Sequence, residues 1–170
     1  MHIYDSNEEL QFSYWLDELK EKGYIINWKY NKEEIELIDK KKIDILINNK
    51  KKSIHLLNKL TYTYDFSIEW DVQSKCLLYN NISENCKDRK FFLCLQDDIS
   101  YIDVKGTFAG KHNNAAVSFP IKQKLLYEKE NKYVQKVIPI KLFEQTFVPS
   151  NLLNRKYKFN IKTSKEFLNE

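Results

Sequence analysis

The triplet Asp103-Val104-Lys105 carries the most suggestive chemistry in the sequence. On a strand, residues two apart share a face, so a carboxylate and an ammonium stand side by side while Ile102 and Val104 turn toward a core. An acid, any residue, then lysine occurs five times, starting at Glu18, Asp39, Asp88, Asp103 and Glu130, so the pattern alone selects nothing. Context selects Asp103, the copy that ends an apolar strand (ISYIDVK) and runs into Gly106 and a polar loop. A second lone acid, Asp65, lies in Tyr64-Asp65-Phe66. Two carboxylates on neighbouring strands repel, and one keeps its proton unless a cation lies between them. A hard divalent ion resolves that conflict. Oxygen ligands with open water positions suit Mg²⁺, with Mn²⁺ as a substitute, and Mg²⁺ beside a lysine suits phosphodiester hydrolysis. Two solvated charges at strand ends fit the same spacing equally well.

Elements that would position these groups can be read along the chain. Residues 7 to about 22 place Phe12, Trp15, Leu16 and Leu19 on one helical face, with Ser6 as N-cap, Glu9 completing a capping box and Gly23 as the stop. Residues 24–30 (YIINWKY) read as a strand. Residues 31–59 fit strand or short helix, with a strand over 43–47. Residues 60–70 alternate, with Leu60, Tyr62, Tyr64, Phe66, Ile68 and Trp70 on one face, and are expected to form one strand. Candidate strands at 77–79 and 91–95 flank a polar loop at 80–90. After the strand at 99–105 come a loop over 107–116, a helix over 118–131 with Pro120 in its first turn, a strand at 133–139 and a helical turn at 140–145. Residues 156–162 (KYKFNIK) alternate as a lysine-guarded edge strand, or as a strip facing DNA. The order predicts one α/β domain over residues 1–170, a mixed sheet flanked by helices, with an insertion at 71–98 and a C-terminal extension at about 146–170.

Composition sets the bounds. A chain of 170 residues, 42% hydrophobic and 14% aromatic, can fill a single core, which excludes disorder as its main state. No apolar run approaches the roughly 20 residues of a membrane span, and no signal-peptide pattern opens the chain, so a cytoplasmic location is expected, the host cell's if the gene belongs to a phage. Cys76, Cys86 and Cys94 show no metal-ligand spacing and read as free thiols. The net charge is +4, almost all of its basic side being lysine, since arginine occurs only at Arg89 and Arg155. Lysine meets phosphate as a point charge without the fork that reads guanine, so a nucleic-acid partner would be recognised by shape and backbone. An AT-rich coding sequence would also produce many lysines.

Taken in order, Ser6-Asn7-Glu8-Glu9 opening a helix, Thr63-Tyr64-Asp65-Phe66, and Ile102-Asp103-Val104-Lys105-Gly106 resemble the PD-(D/E)xK nuclease superfamily. Within it they resemble phage-type Holliday junction resolvases of the endonuclease I kind, where an S-x-x-E helix precedes a T-P-D-F strand and an E-x-K-G strand. The likeness covers about residues 6–139. It implies a restriction-endonuclease-like core and a Mg²⁺-dependent endonuclease acting on branched or structured DNA, as a homodimer. It further implies that Asp65 and Asp103 hold the metal, with the Val104 carbonyl as a further ligand and Lys105 orienting the attacking water. Glu9 would be the helix acid, and Glu8 the runner-up. Gln123 and Tyr127 resemble a helix pair that approaches DNA, and Lys111 and Lys122 join them as DNA-binding residues. Tyr64 departs from the family's proline, and the long interval between Asp65 and Asp103 leaves the subfamily open. Glu69 and Asp71 are alternatives for the first-strand acid. The competing reading is a nuclease fold that binds nucleic acid without cutting it, and a third is a restriction-like or host-directed nuclease with the same site.

Overall fold

The computed structural model describes residues 4–72, 98–107 and 114–168. Helix α1 (Asn7–Glu21) starts where Ser6 Oγ accepts the Glu9 amide, and ends before Gly23, whose φ of +78° is a left-handed turn that a side chain would strain. Its stripe of Phe12, Trp15, Leu16 and Leu19 is fully buried. Strand β1 (Ile25–Tyr30) then enters a four-stranded sheet. The order across that sheet is β1, β6 (Phe66–Trp70), β7 (Ile99–Val104), β8 (Val134–Val137). The first three run antiparallel in turn, and β8 lies parallel to β7. A parallel neighbour needs a crossover, and helix α2 (Asn114–Glu130) lies in the segment between the two strands.

The sheet has a covered face on each side. Phe66, Ile68, Trp70, Ile102 and Val104 pack against α1 together with helix α3 (Pro139–Gln145), the short turn Ser150–Leu152 and helix α4 (Ser164–Leu168). Phe66 is the hub, with the rings of Phe12, Tyr30 and Trp28 between 5.1 and 5.8 Å from its own. On the other face Leu126 of α2 meets Val134, Tyr62 and Leu37. The architecture is therefore mixed α/β with helices on both faces, as the element order predicts.

Three local expectations are corrected and one open reading is decided. The alternating segment 60–70 is two strands, β5 (Leu60–Tyr62) and β6, because the chain changes partners at residues 63–65: β5 pairs with β2 (Ile35–Ile38), whereas β6 lies between β1 and β7. The stretch open to strand or helix takes the strand reading, with 43–47 inside β3 (Lys41–Ile47), which forms a hairpin with β4 (Lys50–Leu57) beyond the β2–β5 pair. Helix α2 starts at Asn114, which puts Pro120 inside it at the cost of one backbone bond, offset by burial of Leu126 and half-burial of Phe119. Residues 156–162 form no strand. Tyr157 and Phe159 pack on the main core with ring centroids 5.1 Å apart, but no sheet edge among the described residues meets them. The strands expected at 77–79 and 91–95, the loop at 80–90 and all three cysteines lie outside the described residues. The ends of the 71–98 insertion do meet, the Trp70 amide donating to the Asp98 carbonyl at 2.9 Å.

Glu18 ties the C-terminal segment to α1. Its carboxylate accepts the Ser150 amide at 2.9 Å, the Ser150 hydroxyl at 3.0 Å and the Ser164 hydroxyl. Hydrogen bonds to a charged group are each worth about 1.5–3 kcal/mol, reduced here by exposure. Glu18→Ala should therefore lower the unfolding free energy by about 1–3 kcal/mol in urea titrations, and Glu18→Gln by less. A change below about 0.3 kcal/mol would mean that packing alone holds this segment.

Candidate active site

Asp65 sits in the partner-changing break just before β6, and the break is what aims it. Its amide donates to the Ile102 carbonyl at 2.8 Å and its carbonyl accepts the Asn31 amide at 2.7 Å, so its backbone stays in the ladder on both sides. Its side chain reaches over β7, where Oδ2 accepts the Val104 amide at 2.6 Å. Asp103 stands next to Val104, on the face of β7 opposite Ile102 and Val104. The two carboxylates are thus neighbours, Asp65 bonding the amide next to Asp103 in sequence, and the Asp103 charge disfavours ionisation of Asp65. Glu69 and Asp71 lie at the far end of β6, where Glu69 opposes Ile99, so the pairing register favours Asp65 over both.

Asp103 is 2% exposed, and its Oδ2 lies 2.7 Å from Lys105 Nζ. Lys105 is anchored in turn by its amide, which donates to the Val137 carbonyl of β8 at 2.8 Å. Burial raises the Asp103 carboxyl above the usual range, opposed by Lys105, Tyr62 and Lys136. Asp65 is pushed up to about 7, first by burial and then by the Asp103 charge, against the Val104 amide and Lys105. The Tyr62 hydroxyl is buried beside Asp103 outside regular hydrogen-bond geometry, and burial followed by the Asp103 charge pushes its ionisation up.

The helix acids divide their roles. Glu9 is buried and both its oxygens are engaged: Oε1 accepts the Ser6 hydroxyl at 2.8 Å, and Oε2 accepts the Tyr30 hydroxyl at 2.5 Å and the Asp5 amide at 3.0 Å. Half of the capping box is present, Ser6 Oγ accepting the Glu9 amide, but the Glu9 carboxylate takes the Asp5 amide and the Ser6 hydroxyl; its charge still reaches Asp65. Glu8 extends to the end of β7, where a methyl group on Gly106 would come within 3.0 Å of Glu8 Oε1. A side chain at that position would need the Glu8 carboxylate to give way by a few tenths of an ångström. Among the described residues no three acid, histidine or cysteine side chains converge into a metal-holding group. The Val104 side chain is buried in the main core, leaving only its backbone facing the acids.

The residues assigned to DNA are dispersed. Gln123 donates its amide nitrogen to the Val134 carbonyl and so fastens α2 to the start of β8. Tyr127 is exposed, edge-on to Tyr133 at 6.4 Å. Lys122 Nζ stands 5.8 Å above the Tyr62 ring, and Lys111 lies outside the described residues. A feature missed from the sequence is a groove over β1, β6 and β7 lined by Trp28, Lys29, Tyr30, Tyr64, Tyr101 and Lys132. Tyr64 and Tyr101 meet edge-on at 5.3 Å, one beside Asp65 in sequence and the other two residues before Asp103. The alternation of residues 60–70 marks Tyr64 as core, and nothing local announces that it opens onto a groove.

Compared with protein-family models, with curated proteins and with solved structures, the chain gives no match.

Proposed function

We propose that the chain is a Mg²⁺-dependent DNA endonuclease with a restriction-endonuclease-like core, acting on branched or structured DNA in the manner of a Holliday junction resolvase. The observation that carries this reading is the juxtaposition of Asp65 and Asp103 with Lys105 held 2.7 Å from one of them. The order helix, acid-bearing segment, acid-x-lysine strand, helix, strand, on which the resemblance rests, recurs along the chain as α1, the Asp65 break with β6, β7, α2 and β8. Mg²⁺ is commonly held by one or two carboxylates, waters and substrate phosphate, so two acids with hard oxygens fit it without a third ligand. When bound there, the ion would activate water and offset charge on the phosphate in the transition state. Lys105 positions that water or the phosphate, Glu8 and Glu9 add negative potential from the start of α1, and the aromatic groove gives unpaired bases a surface to stack on. Paired cuts at a four-way junction call for a two-fold dimer.

A second reading, a nuclease fold that binds nucleic acid without cutting, is favoured by the occupation of both Glu9 oxygens and by the ion pair that already compensates Asp103. Incubation of the protein with linear and four-way DNA separates the two. Cutting in Mg²⁺ or Mn²⁺ that chelator abolishes is expected, with the four-way substrate cut faster. Binding without cutting under every metal condition would overturn the nuclease.

A further inference from the structure

Hairpin β3–β4 stands apart from the rest of the chain. Its strands pair only with each other, and all its residues but Ile45 are exposed among the described residues. Asn48 and Asn49 join them with φ of +50° and +61°, the two-residue turn whose twist matches a hairpin. Cross-strand contact of Ile43 with Ile54 supports the ribbon from one side. Its charge is distinctive. Lys41, Lys42, Lys50, Lys51 and Lys52 against Asp44 alone give these strands a net +4, the same as the whole chain. Elsewhere 23 basic side chains are matched by 23 acidic ones. A coding bias toward lysine raises lysine everywhere, yet no other described strand carries a net charge above +1, and the basic run at residues 155–165 packs Tyr157 and Phe159 on the main core.

We infer that the β3–β4 ribbon is an arm that lies in the major groove of duplex DNA, with its lysines against the flanking phosphates. A two-stranded ribbon fits the B-form major groove, about 12 Å wide, whereas the A-form groove of duplex RNA is too narrow. Strands of this length span about 25 Å, enough to follow the groove over several base pairs. Exposed Ile43, Ile47 and Ile54, which share one face of the ribbon, supply apolar contacts of the kind that thymine methyl groups accept. Like the proposed function, this inference takes DNA as the partner and rests on that reading to this extent, but it does not depend on cutting.

The test is fluorescence anisotropy of the full chain with a labelled 30-base-pair DNA duplex, titrated in chelator over a range of salt concentrations. Changing Lys41, Lys42, Lys50, Lys51 and Lys52 together to Gln should weaken binding about tenfold or more and flatten the log–log salt dependence by about 3–5, since each phosphate contact contributes about 0.9. Asp44→Lys should steepen it by about 1, which keeps the test open if the fivefold variant folds poorly. An unchanged slope in both variants overturns the arm. So does an unchanged slope with a loss of dimer in light scattering, which would assign the ribbon to a second copy of the chain. Equal loss on a duplex RNA overturns the groove geometry. A protein that binds through the ribbon and never cuts in Mg²⁺ removes the nuclease alone, and one that cuts with variant binding unaltered removes the arm alone.

Discussion

Asp103→Asn is expected to lower metal-dependent cutting of four-way DNA by about a thousandfold or more while leaving the protein folded. Changes to groups that merely support a metal ligand commonly cost 10- to 100-fold, so removal of a ligand's charge should cost more. Stability should move the other way. Asp103 is buried, its charged form is opposed by burial, and the Asp65 carboxylate next to it repels it. An amide of the same shape removes that repulsion, and Lys105, whose side chain is about a third exposed, can turn to water. The thermal midpoint should stay within a few degrees of the parent or rise. Unaltered cutting by a folded Asp103→Asn protein would remove Asp103 from the chemistry.

Asp65 should make stability depend on pH in a direction opposite to that of most carboxylates. In the folded protein it keeps its proton up to about pH 7, whereas an unperturbed aspartate gives it up near 3.8. Between those values the native state binds more protons than the unfolded chain, so stability falls as pH rises through that window and levels off above it. The loss is of the order of 2–4 kcal/mol, the upper figure being the full shift converted to free energy. In chelator the protein should melt at a lower temperature at pH 8 than at pH 5. Asp65→Asn should flatten that difference and be the more stable protein at pH 8, since the amide oxygen can still accept the Val104 N–H. Ca²⁺ or Mn²⁺ should restore the parent at pH 8 and release protons on binding near pH 6. Identical pH profiles for the parent and Asp65→Asn would refute the assignment of a strained carboxylate.

Helix α1 was legible because three independent signals agree on it: a cap at Ser6, an apolar face of the right period and a glycine past its end. Strand β7 was legible for a similar reason, its apolar run ending in Asp103 and Lys105, which share a face. The division at residues 63–65 was hidden because the alternation runs unbroken through it, although Leu60, Tyr62 and Tyr64 join the cluster under α2 and Phe66, Ile68 and Trp70 the core under α1. Tyr62, Tyr64 and Phe66 continue one pattern while the chain passes from β2 to β1 and β7. The same limit explains residues 156–162, where Tyr157 and Phe159 alternate toward the core without a ladder to join. The β3–β4 turn did carry a signal, two consecutive asparagines that tolerate positive φ, obscured by the lysine runs on either side. Glu8 and Glu9 could not be told apart because adjacent helical residues point about 100° apart, and packing alone decides which one aims at the sheet.

The hold of the C-terminal segment on α1 has a consequence for synthesis of the protein. Trp15 is stacked on Phe147 at 5.7 Å and donates to Thr146, while Phe147 meets Phe167. A ribosome moving at about 5–20 residues per second makes Trp15 on the order of ten seconds before its partners emerge. Until then the nascent helix presents its indole and leucines to the cell, and this interval is when the chain is most exposed to chaperones and to aggregation.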